Sequence, residues 1–256
     1  MAENTETRQP LPLIDLGRDA LLLDVDGTLL DIAATPENVR VPQSLKESLS
    51  RLSQRGDGAI ALISGRRIVD LDTIFSPLNF PGIGCHGAEL RTIAGGAVTA
   101  LAMPLPAPVK SAFAKVAGAD PGVWIEDKVF TIALHYRASA RQEKDLLIEV
   151  EACRATLPGD LRLLRGRKVV EIRAPGFDKG TGLIHLMRHK PFAGRRPVFF
   201  GDDITDEDVM AVLPRFRGIG VAVGRALRGA GLRLDGPQEV RRCLAAMAAS
   251  TDGVGF

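Results

Sequence analysis

The chain has 256 residues, 45% hydrophobic and 25% charged, with 33 Lys and Arg against 31 Asp and Glu for a formal net charge of +2. That balance exerts no global pull toward nucleic acid or a membrane surface, and no apolar run reaches the length of a membrane span. Three scattered cysteines (Cys85, Cys153, Cys243) without zinc-ligand spacing, and a polar, Pro-rich start without a leader pattern, predict a soluble, cytoplasmic, monomeric protein with reduced core thiols.

Residues 20–23 read as a short buried strand that ends on Asp24, Val25, Asp26, Gly27 and Thr28. Two acids one residue apart must be desolvated beside each other, and like charges held close disfavour joint ionisation. A divalent cation and a phosphate would offset that cost. Gly27 allows a tight turn, while Thr28 and the loop amides can donate to phosphate oxygens. A solvated Asp-Gly turn is the plainer alternative. A helix follows at 43–54, with Leu45, Leu49 and Leu52 on one face. Residues 59–63 read as a second strand ending at Ser64, Gly65 and Arg66, and residues 67–75 as a helix.

Prolines at 104, 106 and 108 break the pattern and read as a linker. Beyond them the order is helix (109–116), strands (123–127 and 129–136), helix (140–156) and strands (161–164 and 168–173). The last pair is split by a turn at Arg165, Gly166 and Arg167. This predicts a separate antiparallel sheet with helices on one face. Residues 174–176 return the chain to a third strand-and-helix region. There Lys179 opens a helix over 181–188, Asp202 and Asp203 follow a strand at 197–200, a helix covers 206–213, and a strand covers 218–223. Strand alternating with helix predicts an α/β protein: a Rossmann-like parallel-sheet core, residues 18–105 and 178–249, with an inserted α+β cap at 106–177. Asp24, Ser64 and Asp202 all fall at carboxyl ends of strands, where such sheets bind ligands.

Basic residues cluster at 162–173, 188–190 and 195–196, but one Trp and one Tyr are too few for a base-stacking platform. A small anionic molecule suits them better. A phosphate monoester repels any nucleophilic anion. Mg²⁺ held by Asp24, the Asp26 carbonyl and Asp202 would neutralise it, with Lys179 adding a fixed charge at a helix start and Ser64 a hydrogen bond. Asp24 can then attack phosphorus, and Asp26 can shuttle the proton. Asp203 and Asp206 are better placed to orient metal-bound water or Lys179 than to bind metal. In the cap, Glu126, Lys128, His135 and Glu171 bring carboxylates, a lysine and an imidazole to one strand-paired surface, which suits the hydroxyls of a sugar; a solvated face of cross-strand ion pairs is the alternative.

The order Asp24/Asp26, Ser64, Lys179, Asp202/Asp203/Asp206 resembles the haloacid dehalogenase superfamily of phosphotransferases. A finer set is similar to the trehalose-6-phosphate phosphatase family: Asp24 to Thr28 with Leu29 and Pro36; Leu62 to Arg66; His86, Gly87, Ala88 and Glu89; Glu126 and Lys128; His135, Tyr136 and Arg137; Val170 to Ile172; Lys179 and Gly180; and Gly201 to Glu207. The resemblance implies a Mg²⁺-dependent phosphatase whose cap closes over the sugar phosphate. It implies that Glu126, Lys128, His135, Arg137 and Glu171 hold the sugar, that Arg66 and His86 lie nearby on the core, and that Val25 with Asp24 and Asp26 meets the phosphate. Phosphatases for other sugar phosphates, a sugar-phosphate mutase and a non-catalytic phosphate sensor are the competing readings.

Overall fold

A computed structural model describes residues 13–32, 39–166 and 168–250; Pro36 and Arg167 lie outside them. The chain divides into two compact units, one running to Leu101 and resuming at Asp178, the other spanning Ala102–Phe177.

The first unit begins with β1 (Asp19–Asp24), α1 (Gln43–Arg55), β2 (Ile60–Ile63), α2 (Ile68–Phe75), β3 (Gly82–Gly84), β4 (Glu89–Arg91) and β5 (Thr99–Ala100). The second unit contains α3 (Ala107–Gly118), β6 (Trp124–Asp127), β7 (Thr131–His135), α4 (Glu143–Ala155), β8 (Arg162–Gly166) and β9 (Val169–Arg173). The first then resumes with α5 (Lys179–Leu186), β10 (Arg196–Gly201), α6 (Glu207–Val212), β11 (Ile219–Val223), β12 (Leu232–Leu234) and α7 (Pro237–Ala249).

Among the described residues, eight strands form the sheet of the first unit in the order β12-β11-β10-β1-β2-β3-β4-β5. The six from β12 to β3 are parallel, as the strand–helix alternation predicts. Period-two alternation sends Leu21 and Leu23 of β1 to one core, shared with α1, α2 and α7, and Ala20 and Leu22 to the other, shared with α5 and α6. Helices therefore cover both faces. The antiparallel extension β4–β5 has no counterpart in the sequence reading. Its strands hold three and two residues, too few for a periodic signal.

In the second unit the strands run β6-β7-β9-β8, every pair antiparallel. Ile132, Leu134, Val170 and Ile172 pack on Val109, Phe113, Leu146 and Val150 of the two helices. The opposite sheet face is polar. Two local expectations shift. Helix α3 starts at Ala107 with Pro108 in its first turn, where a missing N–H costs nothing. The β8–β9 hairpin reverses later than Arg165 and Gly166, because Gly166 pairs with Val169 and Lys168 takes φ +64°. Among the described residues no helix is long and apolar enough to cross a membrane.

Candidate active site

Strand β1 is the switch point of the sheet, with β2 on one side and β10 on the other. Register places Asp24 beside Ile63, so Ser64 follows one step on, and Leu23 beside Phe200, with Gly201 and Asp202 beyond. Three strand ends thus deliver their polar residues to one edge.

Lys179 enters from the first turn of α5, which Asp178 caps by accepting the Thr181 amide at 2.7 Å. Its Nζ donates to Asp24 Oδ1 and Asp206 Oδ1, each at 2.7 Å. The other oxygen of Asp206 accepts the amides of Asp202 and Asp203 at 2.9 and 3.0 Å. Asp206 is fully buried and both of its oxygens are engaged, so it anchors the Asp202–Asp203 loop and Lys179. Thr28 donates to Asp202 Oδ1 at 3.1 Å. Its hydroxyl, expected to face a phosphate, is buried on this carboxylate instead. Gly27 sits between them at φ +93°, and a Cβ there would stand 2.1 Å from Asp202 Oδ2. No other residue allows that approach.

Asp24 Oδ2 is buried and has no hydrogen-bond donor among the described residues. Burial first, and then the charge of Asp206, push the Asp24 carboxyl well above the usual carboxylate range, against the pull of Lys179. Burial and Asp206 likewise push Asp202 up to about 6. Burial alone would lower the Lys179 ammonium, but Asp206 and Asp24 outweigh it and hold it above the usual lysine range. One oxygen from each of Asp24, Asp202 and Asp206 lies within 4.8 Å of the others. Three carboxylates face one ammonium, and a buried lone pair is left over. A hard divalent cation fits that donor set.

The remaining predicted core residues fall close by. Arg66 grips Asp26 through two bonds, Nε to Oδ2 at 2.7 Å and Nη2 to Oδ1 at 2.8 Å, an engagement the sequence reading did not foresee for either residue. Ser64 Oγ accepts the Arg66 amide at 3.1 Å, which leaves its proton for donation. His86 lies over Gly65, where a Cβ would be 2.4 Å from its Nε2, and its amide donates to Ser64 O. Glu89, the first residue of β4, accepts the Ile68 amide at 2.7 Å and so ties β4 to the start of α2. Val25 is buried in the apolar core, leaving only its main chain to meet a ligand.

On the polar face of the second unit, Glu126 and Glu171 both oppose Ala133 in register. Lys128, just past β6, stands 3.4 Å from Glu171 Oε2 and 4.0 Å from Glu126 Oε2. His135 Nε2 lies 3.0 Å from Glu126 Oε2. Burial by itself would raise the Glu126 carboxyl, yet the His135 hydrogen bond and Lys128 outweigh it and leave it below its usual value. Thr131, missed in the sequence, donates to Glu171 Oε1 at 2.5 Å. A carboxylate in an apolar strand is the signal that points to such a partner. Arg137 is exposed, two residues past β7.

Residues 22–228 match the family model described as trehalose-phosphatase. The chain belongs to the trehalose-phosphatase family. It is 41% identical over 214 residues, 82% of this chain and 79% of the relative, to a "Probable trehalose-phosphate phosphatase" of Sinorhizobium fredii. It is 38% identical over 222 residues, 86% and 83% of the two chains, to the trehalose-6-phosphate phosphatase of Escherichia coli. Its fold is that of the C-terminal domain of the C. albicans trehalose-6-phosphate phosphatase, with TM-score 0.75 at 24% identity over 93% of this chain and 98% of that one. The solved neighbours include phosphatases of the haloalkanoate (HAD) enzyme superfamily, and the trehalose-phosphate phosphatases among the relatives are phosphoric monoester hydrolases.

Proposed function

We propose that this chain hydrolyses trehalose 6-phosphate to trehalose and inorganic phosphate through an aspartyl-phosphate on Asp24. The observation that carries the chemistry is the buried Asp24–Lys179–Asp206 array with Asp202 beside it, at the switch point of the sheet.

Asp24 and Asp202, with the Asp26 main-chain carbonyl, would hold Mg²⁺. When bound, the ion supplies positive charge that screens the phosphate oxygens from an attacking carboxylate. Lys179 holds one oxygen of Asp24 and so aims the carboxylate. Ser64 donates its remaining proton to a nonbridging phosphate oxygen. A carboxylate oxygen of Asp24 bonds to phosphorus as the bond from phosphorus to the sugar O6 breaks. Asp26, both of whose oxygens accept from Arg66 in this structure, turns out of that fork and in its acid form gives its proton to the departing oxygen. It then takes one from the water that attacks phosphorus, which releases phosphate and restores Asp24. Glu126, Lys128, His135, Arg137 and Glu171 read the sugar hydroxyls, and Arg66, His86 and Val25 complete the contacts on the first unit.

A phosphate-release assay with magnesium across trehalose 6-phosphate, sucrose 6-phosphate and glucose 6-phosphate tests the reading, with trehalose 6-phosphate expected to lead. Greater turnover of another sugar phosphate would transfer the assignment to that sugar. Lys128→Ala should lower kcat/KM on trehalose 6-phosphate about tenfold or more beyond its loss on p-nitrophenyl phosphate, since a charged hydrogen-bond donor to the sugar is removed. Equal losses on the two would deny Lys128 a part in sugar recognition.

The acids also set a pH dependence. Asp24 and Asp202 bind protons more tightly folded than unfolded, from the ordinary carboxylate range up to about 6 for Asp202. The folded state holds more protons across that window, so stability of the metal-free protein falls as pH rises through it. Mg²⁺ competes with those protons. Its stabilisation in thermal melts, relative to EDTA, should therefore be larger at about pH 8 than at about pH 5. Equal shifts at the two pH values would argue against these carboxylates as the metal site.

A further inference from the structure

Beside the carboxylates of the second unit stands a pair of stacked rings, of which one, Trp124, has no part in the chemistry above. Trp124 opens β6 directly opposite His135, the last residue of β7. The two rings stack with centroids 3.9 Å apart and planes within 6° of parallel. Directly opposed residues of an antiparallel pair share a face, as do residues two apart along a strand. Trp124 therefore stands on the face of Glu126 and His135, which Ala133 carries across to Glu171.

His135 is itself held in place by Glu126, so one face of the indole is backed by a ring of fixed angle. Trp124 takes no part in the apolar core of its unit and is 45% exposed. A flat aromatic surface, pre-oriented and flanked by two carboxylates and an ammonium, suits one kind of ligand: a ring with an apolar C–H face and a rim of hydroxyls. A pyranose has that shape.

We propose that Trp124, backed by His135, is the stacking platform for a pyranose ring of the substrate, whose hydroxyls then reach Glu126, Lys128 and Glu171; the inference rests on the sugar-phosphate reading of the preceding section. The stack fixes the plane of the sugar, and the charged groups fix its rotation within that plane. Sugar phosphates gain from the platform, whereas a phosphate ester without a pyranose does not.

Trp124 is the sole tryptophan of the chain, so its emission reports on this surface alone. In the Asp24→Asn protein, trehalose 6-phosphate and trehalose should each change that emission saturably, and inorganic phosphate should leave it unmoved. In the otherwise native enzyme, Trp124→Ala should raise KM for trehalose 6-phosphate about tenfold more than KM for p-nitrophenyl phosphate, with Trp124→Phe recovering most of the difference. Emission indifferent to both sugars, with KM for trehalose 6-phosphate unaltered in Trp124→Ala, would overturn the platform while turnover of that substrate stands. Failure of the substrate reading looks different: the native enzyme would then prefer another hexose phosphate. The same emission titration and KM comparison, run with that compound, would still decide for or against Trp124.

Discussion

Replacing Asp24 by Asn should abolish phosphate release from trehalose 6-phosphate and p-nitrophenyl phosphate alike, by about 10⁴-fold or more. The carboxamide has nearly the shape of the carboxylate, and its oxygen can still accept from Lys179. What it lacks is the anionic oxygen that forms the bond to phosphorus. The fold should survive, because Asp24 Oδ2 accepts no hydrogen bond from the described residues and the substitution removes a buried charge that Asp206 opposes. Thermal melts without metal should accordingly show a midpoint no lower than that of the native protein. Comparable turnover in a folded Asp24→Asn protein would move the nucleophile elsewhere.

Lys179→Met should cost both activity and stability. Asp206 is fully buried, and its partner Lys179 and Asp24 are nearly so. Removing the ammonium leaves two carboxylates in a dry site without their shared donor, a loss of about 3–5 kcal/mol near neutral pH. Met keeps the length and apolar stem, so the loss reflects charge more than a cavity. The unpaired acids would take up protons more readily folded than unfolded. With the folded state binding the extra protons, stability of the variant should recover as pH falls. Urea unfolding at about pH 7 and pH 5, in EDTA, measures this; a variant as stable as the native protein at both would show that Lys179 holds no such pair. Activity should fall about 10³-fold, because the attacking carboxylate loses its aim and the phosphate a neutralising charge.

Much of this site was legible in the chain order. Asp24, Ser64, Lys179 and Asp202 each follow or precede an element whose period is plain, and parallel strands bring like ends together. The partners of those residues were less legible. That Thr28 serves Asp202, that Arg66 grips Asp26 and that Glu89 accepts the first amide of α2 depends on groups 174, 40 and 21 residues apart. No local pattern encodes such distances. The same holds for Trp124, which reads in sequence as one more strand aromatic and becomes a platform only once register sets it on His135.

Residue identity and spacing by themselves determined the alternation of strand and helix, the inserted antiparallel unit, and the list of groups able to do phosphate chemistry. These follow from periodicity and from the cost of burying charge, both of which act along the chain. Tertiary structure alone decided which oxygen of each carboxylate is engaged, which lone pair is left for a cation, and which face of the small sheet is polar. Those outcomes turn on register and on side-chain contacts between strands distant in sequence, where a shift of one residue would exchange the two faces.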